Sequence, residues 1–231
     1  MRLLATGGGT GGHVYPALSV IEAVCSQGTA WADIAWVGGA DSVEERIARR
    51  EKLAFYPISV GALRGLRRPW EFARNLGNLI RGTLQARQIV RELRPDVILA
   101  TGGYVSVPLV LAARAARCPA LIYLPDMSPG LAVRFLSLFA QRVAVSFATV
   151  AHYFSAHKVV VSGYPVRRAL YETDGESARA VFGLTPELPV VLILGGSRGA
   201  HSINQAIRSQ VQSLARIAQV IHISGLADYE Q

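Results

Sequence analysis

The feature that most constrains this chain is the glycine run Thr6-Gly7-Gly8-Gly9-Thr10-Gly11-Gly12-His13, between the short apolar stretch Leu3-Leu4-Ala5 and the apolar segment Val14 to Val24. Strand, turn and helix follow within two dozen residues. Glycines at five of positions 7–12 let backbone N–H groups approach a ligand without Cβ interference, and the helix start adds partial positive charge. That is a cradle for an anion, phosphate first of all. A tight strand-to-helix turn with no ligand is the plainer alternative. No Lys follows, so the run is not a G-x-x-x-x-G-K-[ST] nucleotide loop; it does satisfy G-x-G-x-x-G, a weak signal by itself. A nicotinamide site would also want an acid after the second strand, and Asp41 comes late for that role. His13 reads either as a catalytic or phosphate-contacting group or as a helix cap.

The same pattern recurs. Pro95 to Ala100 reads as a strand running into Thr101-Gly102-Gly103-Tyr104-Val105-Ser106-Val107-Pro108 and an apolar helix through Arg117. Val190 to Leu194 runs into Gly195-Gly196-Ser197-Arg198-Gly199-Ala200 and a helix from His201 to Ala218. Further strands are expected at 34–37, 55–60, 119–124, 142–145, 158–161 and 220–223, and further helices at 15–27, 42–52 (solvated), 70–93 and 131–140. Strands alternating with helices predict an α/β fold with parallel sheets, whose ligands collect at the carboxyl ends of the strands. The polar stretch 171–187 reads as loop-like. The expected organisation is residues 1–165 as an N-terminal Rossmann-like domain, 166–189 as a connection, and 190–231 as the start of a second Rossmann-like domain. One βαβ unit cannot cover both faces of a parallel sheet. Either its strands extend the first sheet or the chain is part of a longer protein, and the second is expected.

A net charge of +8 and a pI near 10.0 favour an anionic partner: phosphorylated substrate, acidic lipid surface or nucleic acid. Only Lys52 and Lys158 are lysines, so Arg carries most of the positive charge. No nucleic-acid-binding module is recognisable, and no nucleic-acid partner is expected. Cys25 and Cys118 are isolated, which signals neither a zinc site nor a disulfide framework. A reducing cytoplasm fits, and no stretch reaches ~18 uninterrupted apolar residues. The most basic region begins with Arg64, Arg67 and Arg68. In the helix that follows, Phe72, Leu76, Leu79, Ala86, Val90 and Leu93 share the expected core face, with Trp70, Arg74 and Arg81 on another. Tryptophan beside arginines suits a membrane interface; a solvated face with one packed Trp is the bland alternative.

Four ordered segments carry a resemblance: Gly8 to Leu18, Gly102 to Pro108, Gly163-Tyr164-Pro165-Val166-Arg167, and Gly195 to Ala200. In order and spacing they resemble the MurG family of peptidoglycan glycosyltransferases over the whole chain. The resemblance implies a GT-B architecture of two Rossmann-like domains facing a cleft. It implies a hexosyltransferase that moves N-acetylglucosamine, with inversion, from UDP-N-acetylglucosamine to the undecaprenyl-diphosphate-linked acceptor, lipid I, giving lipid II. The enzyme would be peripheral on the cytoplasmic face of the cell membrane, with Trp70, Arg74 and Arg81 in the docking region.

Carried over residue by residue, Thr10, Gly11 and Gly12 would contact the donor or the acceptor diphosphate, with His13 as general base or positioning group. Gly102 and Gly103 would help hold the acceptor diphosphate, and Arg167 and Ser197 would touch the donor. The chain departs from the family at Tyr123-Leu124-Pro125-Asp126, where the family carries His-Glu-Gln-Asn; Asp126 stands for a donor-contacting Asn and adds negative charge near a diphosphate. No metal-binding acidic pair is evident, so no essential metal and no cofactor is expected. A non-catalytic relic or accessory module binding undecaprenyl-diphosphate lipid is the alternative function.

Overall fold

The computed structural model describes residues 1–61, 69–196 and 199–229. The chain divides into two compact units, Met1–Arg168 and Ala169–Gln231.

In the first unit the order is β1 (Leu3–Thr6), α1 (Gly11–Ser26), β2 (Ile34–Gly39), α2 (Val43–Arg50), β3 (Ala54–Ile58), α3 (Pro69–Leu93), β4 (Val97–Ala100), α4 (Ser106–Ala115), β5 (Ala120–Leu124), α5 (Leu131–Ser137), β6 (Arg142–Val145) and β7 (Val159–Val161). Seven strands pair in parallel in the order β3-β2-β1-β4-β5-β6-β7. The chain winds outward from β1 to β3, then returns to lay β4 beside β1, with Leu3 opposite Val97 and Thr6 opposite Ala100. The winding direction therefore reverses between β1 and β4, and a ligand crevice in such a sheet opens at that point. Both glycine turns leave from these two strands.

Alternation along the strands explains the two cores. Leu4, Val37, Ile98, Ala100, Ile122 and Leu124 face one layer with Ala86, Val90, Leu109, Val110 and Leu136 from α3, α4 and α5. Leu3, Ala5, Ile34, Trp36, Leu99 and Tyr123 face the other with Val14, Ala17, Leu18, Ile21, Ile47 and Ala48 from α1 and α2. Strands buried on both faces read as continuous apolar runs, which is why the sequence located them.

Several expectations need correction. Helix α1 starts at Gly11, not Tyr15, so the last glycines of the run form its first turn. Helix α2 is not wholly solvated: Glu44, Ile47 and Ala48 are buried. On α3 the core stripe is buried at Ala86 and Val90 but not at Phe72 and Leu76, which are 41 % and 40 % exposed. The stretch 171–187 is not simply a loop.

The second unit contains α6 (Ala169–Glu172), α7 (Gly175–Val181), β8 (Val190–Leu194), α8 (His201–Leu214) and β9 (Gln219–Ile223). Asp174 caps α7 by accepting from the Ser177 N–H at 2.9 Å. Strands β8 and β9 form a separate parallel pair and do not extend the first sheet.

Candidate active site

The two glycine turns at the switch point interlock. The Thr101 N–H donates to the Thr6 carbonyl at 2.9 Å, and the Thr101 hydroxyl reaches the same oxygen at 3.4 Å. Gly103 has φ +81°, in the left-handed region, and a Cβ there would lie 2.8 Å from the Gly8 carbonyl oxygen. Gly7 allows equally close approach from the other side, since a Cβ would overlap the Thr101 hydroxyl. These glycines are required by the close contact between the two turns.

The start of α1 is left uncapped at the same edge. Thr10 is its N-cap residue but makes no side-chain cap bond, and the first turn holds no acid. The helix start therefore leaves backbone donors at Gly11 and Gly12 for a partner, while the His13 N–H turns back to the Thr10 carbonyl at 3.2 Å. Helix α2 provides the contrast: Ser42 caps it by accepting from the Glu45 N–H at 3.1 Å, and Glu44 and Glu45 fill its first turn. Thr10 and Gly12 are exposed, whereas Gly11 and His13 are half-buried.

His13 is placed by the second turn. Its Nδ1 lies 2.8 Å from the Thr101 carbonyl oxygen. A carbonyl only accepts, so Nδ1 carries the hydrogen, and in the neutral ring the basic lone pair is on Nε2. The side chain bonds across to the β4 turn and does not cap its own helix. Gly102, with φ +110°, makes room for the ring, because a Cβ there would sit 3.1 Å from His13 Cε1. His13, Thr10 to Gly12, Gly102 and Gly103 thus meet at one edge.

Arg167 approaches the same helix start: its guanidinium carbon is 5.0 Å from the centroid of the Tyr15 ring, within cation–π range. Asp126 is exposed just beyond β5. Nearby, burial and then the Asp126 charge push the Tyr164 hydroxyl above its ordinary pKa. The Tyr123 hydroxyl, raised chiefly by burial, shares a hydrogen bond of 2.5 Å with the Ser146 hydroxyl.

Ser197 lies outside the described residues, as do Arg64, Arg67 and Arg68. Around Ser197, Gly196 and Gly199 take φ +80° and +77°. A Cβ on Gly199 would overlap the Ser224 carbonyl oxygen, to which the Asn204 side chain also donates at 2.9 Å. Asn204 further donates to Asp228 at 2.7 Å and accepts from His222 Nε2 at 2.9 Å, so its amide is fully oriented. Sequence reasoning missed Glu44, Tyr15 and Asn204. Only Asn204 had a signal, a polar residue one turn into the helix after a glycine loop.

Trp70, Arg74 and Arg81 are all exposed on α3, Trp70 by 67 %. Phe72, Leu76, Ile80 and Leu84 add exposed apolar surface along the same helix. Among the described residues no helix is long and apolar enough to cross a membrane.

A doubly wound parallel sheet with two glycine turns at its switch point, followed by a second strand–glycine–helix unit, defines an α/β protein of the GT-B type. Residues 3–145 match the glycosyltransferase family 28 N-terminal domain, and residues 190–231 match the corresponding C-terminal domain. The chain belongs to glycosyltransferase family 28.

It is 40 % identical, over 97 % of its own length and 60 % of the relative's, to the UDP-N-acetylglucosamine--N-acetylmuramyl-(pentapeptide) pyrophosphoryl-undecaprenol N-acetylglucosamine transferase of Roseiflexus sp. (strain RS-1). A transferase of the same description from Bacillus anthracis is 35 % identical over 97 % of this chain and 62 % of that protein. The chain thus spans about 60 % of the length of the curated relatives it matches. Among solved structures, Acinetobacter baumannii MurG superposes with a TM-score of 0.66 at 25 % identity, over 100 % of this chain and 60 % of that one. The UDP-GlcNAc 2-epimerase of Neisseria meningitidis, 12 % identical with a TM-score of 0.59 over 96 % of this chain and 66 % of that one, shares the fold.

Proposed function

We propose that this protein acts in the transfer of N-acetylglucosamine from UDP-N-acetylglucosamine to a lipid-linked N-acetylmuramoyl-pentapeptide acceptor, giving lipid II. The observation that carries the reading is His13. Its Nδ1 hydrogen is committed to the Thr101 carbonyl, which leaves Nε2 as a base beside uncapped backbone donors, in a chain 40 % identical to a transferase so named.

In the chemistry, Nε2 takes the proton of the acceptor's 4-hydroxyl as its oxygen attacks C1 of the donor sugar, the anomeric centre inverts, and UDP leaves. The Gly11 and Gly12 N–H groups at the positive end of α1, with Gly102 and Gly103 allowing close approach, hold the acceptor diphosphate beside that base. Thr10 supplies a hydroxyl at the same edge. Ser197 and Arg167 keep the donor-contacting roles that their matches to the family motifs imply, Arg167 as a cation for the donor diphosphate. Asp126, an acid where relatives of the MurG type carry Asn, hydrogen bonds the donor through its carboxylate. The exposed Trp70, Phe72, Leu76, Ile80 and Leu84, flanked by Arg74 and Arg81, dock α3 on an anionic membrane surface on the cytoplasmic side.

The test uses the protein as its native gene encodes it, with a lipid I analogue and labelled UDP-N-acetylglucosamine. Labelled lipid II is the expected product. Retained acceptor binding with no turnover would instead support a lipid-binding accessory role. For docking, replacing Trp70 by Ala together with Arg74→Glu and Arg81→Glu should lower partitioning onto vesicles containing anionic phospholipid by about 10-fold or more, given roughly 1 kcal/mol per basic residue near such a surface. Unchanged co-sedimentation would remove α3 from the docking face.

A further inference from the structure

Glu44 is an acid in an unexpected place. It sits in the first turn of α2, only 4 % exposed, with its carboxylate lodged beneath the glycine run. Two glycines make the space. A Cβ on Gly8 would overlap the carboxyl carbon, and one on Gly38 would lie 2.9 Å from Glu44 Cγ. The Gly9 N–H donates to Oε2 at 3.3 Å. No basic side chain among the described residues pairs with this carboxylate.

Burying a carboxylate is expensive unless hydrogen bonds and dipoles compensate. Here one backbone N–H and the positive end of α2 do so. An acid next to a turn suited to phosphate looks contradictory until its position is considered. It lies on the β2 side of the turn, against Gly8 and Gly38.

We propose that Glu44 is the positioning residue of the glycine turn. Its carboxyl group fixes Gly8 and Gly9 from beneath by filling the space there and accepting from the Gly9 N–H. The turn is thereby held in one conformation, with the Gly11 and Gly12 donors presented to the ligand. An external diphosphate is confined to the α1 side, where His13 waits, and is kept off the end of β2. This deepens the reading under Proposed function and rests on it.

The test measures binding of two probes, farnesyl diphosphate for the isoprenyl-diphosphate side and UDP for the donor side, to the native protein and to Glu44→Ala and Glu44→Gln. Glu44→Ala should weaken farnesyl diphosphate by about 10-fold or more while changing UDP by less than about 2-fold. Glu44→Gln keeps the shape and an acceptor for the Gly9 N–H, so it should restore binding to within about 3-fold of the parent.

Equal farnesyl diphosphate binding by the parent and Glu44→Ala overturns the proposal. So does equal loss in the Ala and Gln variants, or parallel loss of both probes. If Glu44→Ala does not fold, Gly8→Ala decides, because its methyl group displaces the same carboxylate; undiminished farnesyl diphosphate binding there overturns the proposal as well. A parent protein that binds no farnesyl diphosphate overturns the underlying reading of the site instead.

Discussion

Replacing His13 by Gln in the protein as its native gene encodes it should lower turnover by at least about 10²-fold, with little change in acceptor binding. The geometry sets both halves of that result. Gln can still donate a side-chain N–H toward the Thr101 carbonyl, which His13 Nδ1 meets at 2.8 Å, so the cross-link between the two glycine turns survives. The amide cannot supply the basic lone pair that Nε2 presents in the neutral ring, so the acceptor hydroxyl loses its proton acceptor. His13→Ala should do more damage, because it also removes the link to the β4 turn. Steady-state kinetics with a lipid I analogue separate the two variants: the Gln variant falls in kcat with KM nearly constant, the Ala variant in both. A Gln variant with parental kcat would leave His13 as a spacer between turns and move the base elsewhere.

Much of this could be read from the residues, for identifiable physical reasons. Strands such as Leu3 to Thr6 and Val97 to Ala100 are buried on both faces, so nothing polar interrupts them, and the glycines that follow mark where each ends. What the sequence could not reveal is what each glycine is for. Gly7 and Gly103 serve the contact between turns, Gly8 and Gly38 make room for Glu44, Gly102 makes room for the His13 ring, and Gly11 and Gly12 open the uncapped first turn of α1. Helical periodicity failed at Glu44 because a charged residue in a first turn normally faces water. It failed at Phe72 and Leu76 because α3 leaves part of its apolar face uncovered. The start of α1 was misjudged because glycine disfavours helix interiors, yet here glycines form the first turn, where the cost is smallest and free N–H groups are useful. Arg167 and Tyr15 are far apart in the chain, and only the fold shows that they meet.

Gly103→Ala should cost stability and activity together. The backbone at this position has φ +81°, where an L-residue pays about 1–2 kcal/mol. The new methyl group would stand 2.8 Å from the Gly8 carbonyl oxygen, a contact that has to be relieved by movement, at about 1–3 kcal/mol for overpacking. Neither side can yield freely. Gly8 is backed by the Glu44 carboxylate, and the β4 turn is tied to β1 through the Thr101 N–H at 2.9 Å from the Thr6 carbonyl. Relief therefore displaces the Thr101 carbonyl, and with it the His13 ring and the donors at the start of α1. Gly77→Ala provides the control: it lies inside α3, a Cβ there meets nothing within 4 Å, and exchange for Ala should raise stability by up to about 1 kcal/mol. Denaturant unfolding of the two variants should move the midpoints in opposite directions, and only the Gly103 variant should lose turnover. If Gly103→Ala unfolds at the parental midpoint, the two turns are not rigidly interlocked, and the β4 turn does not hold His13 in place.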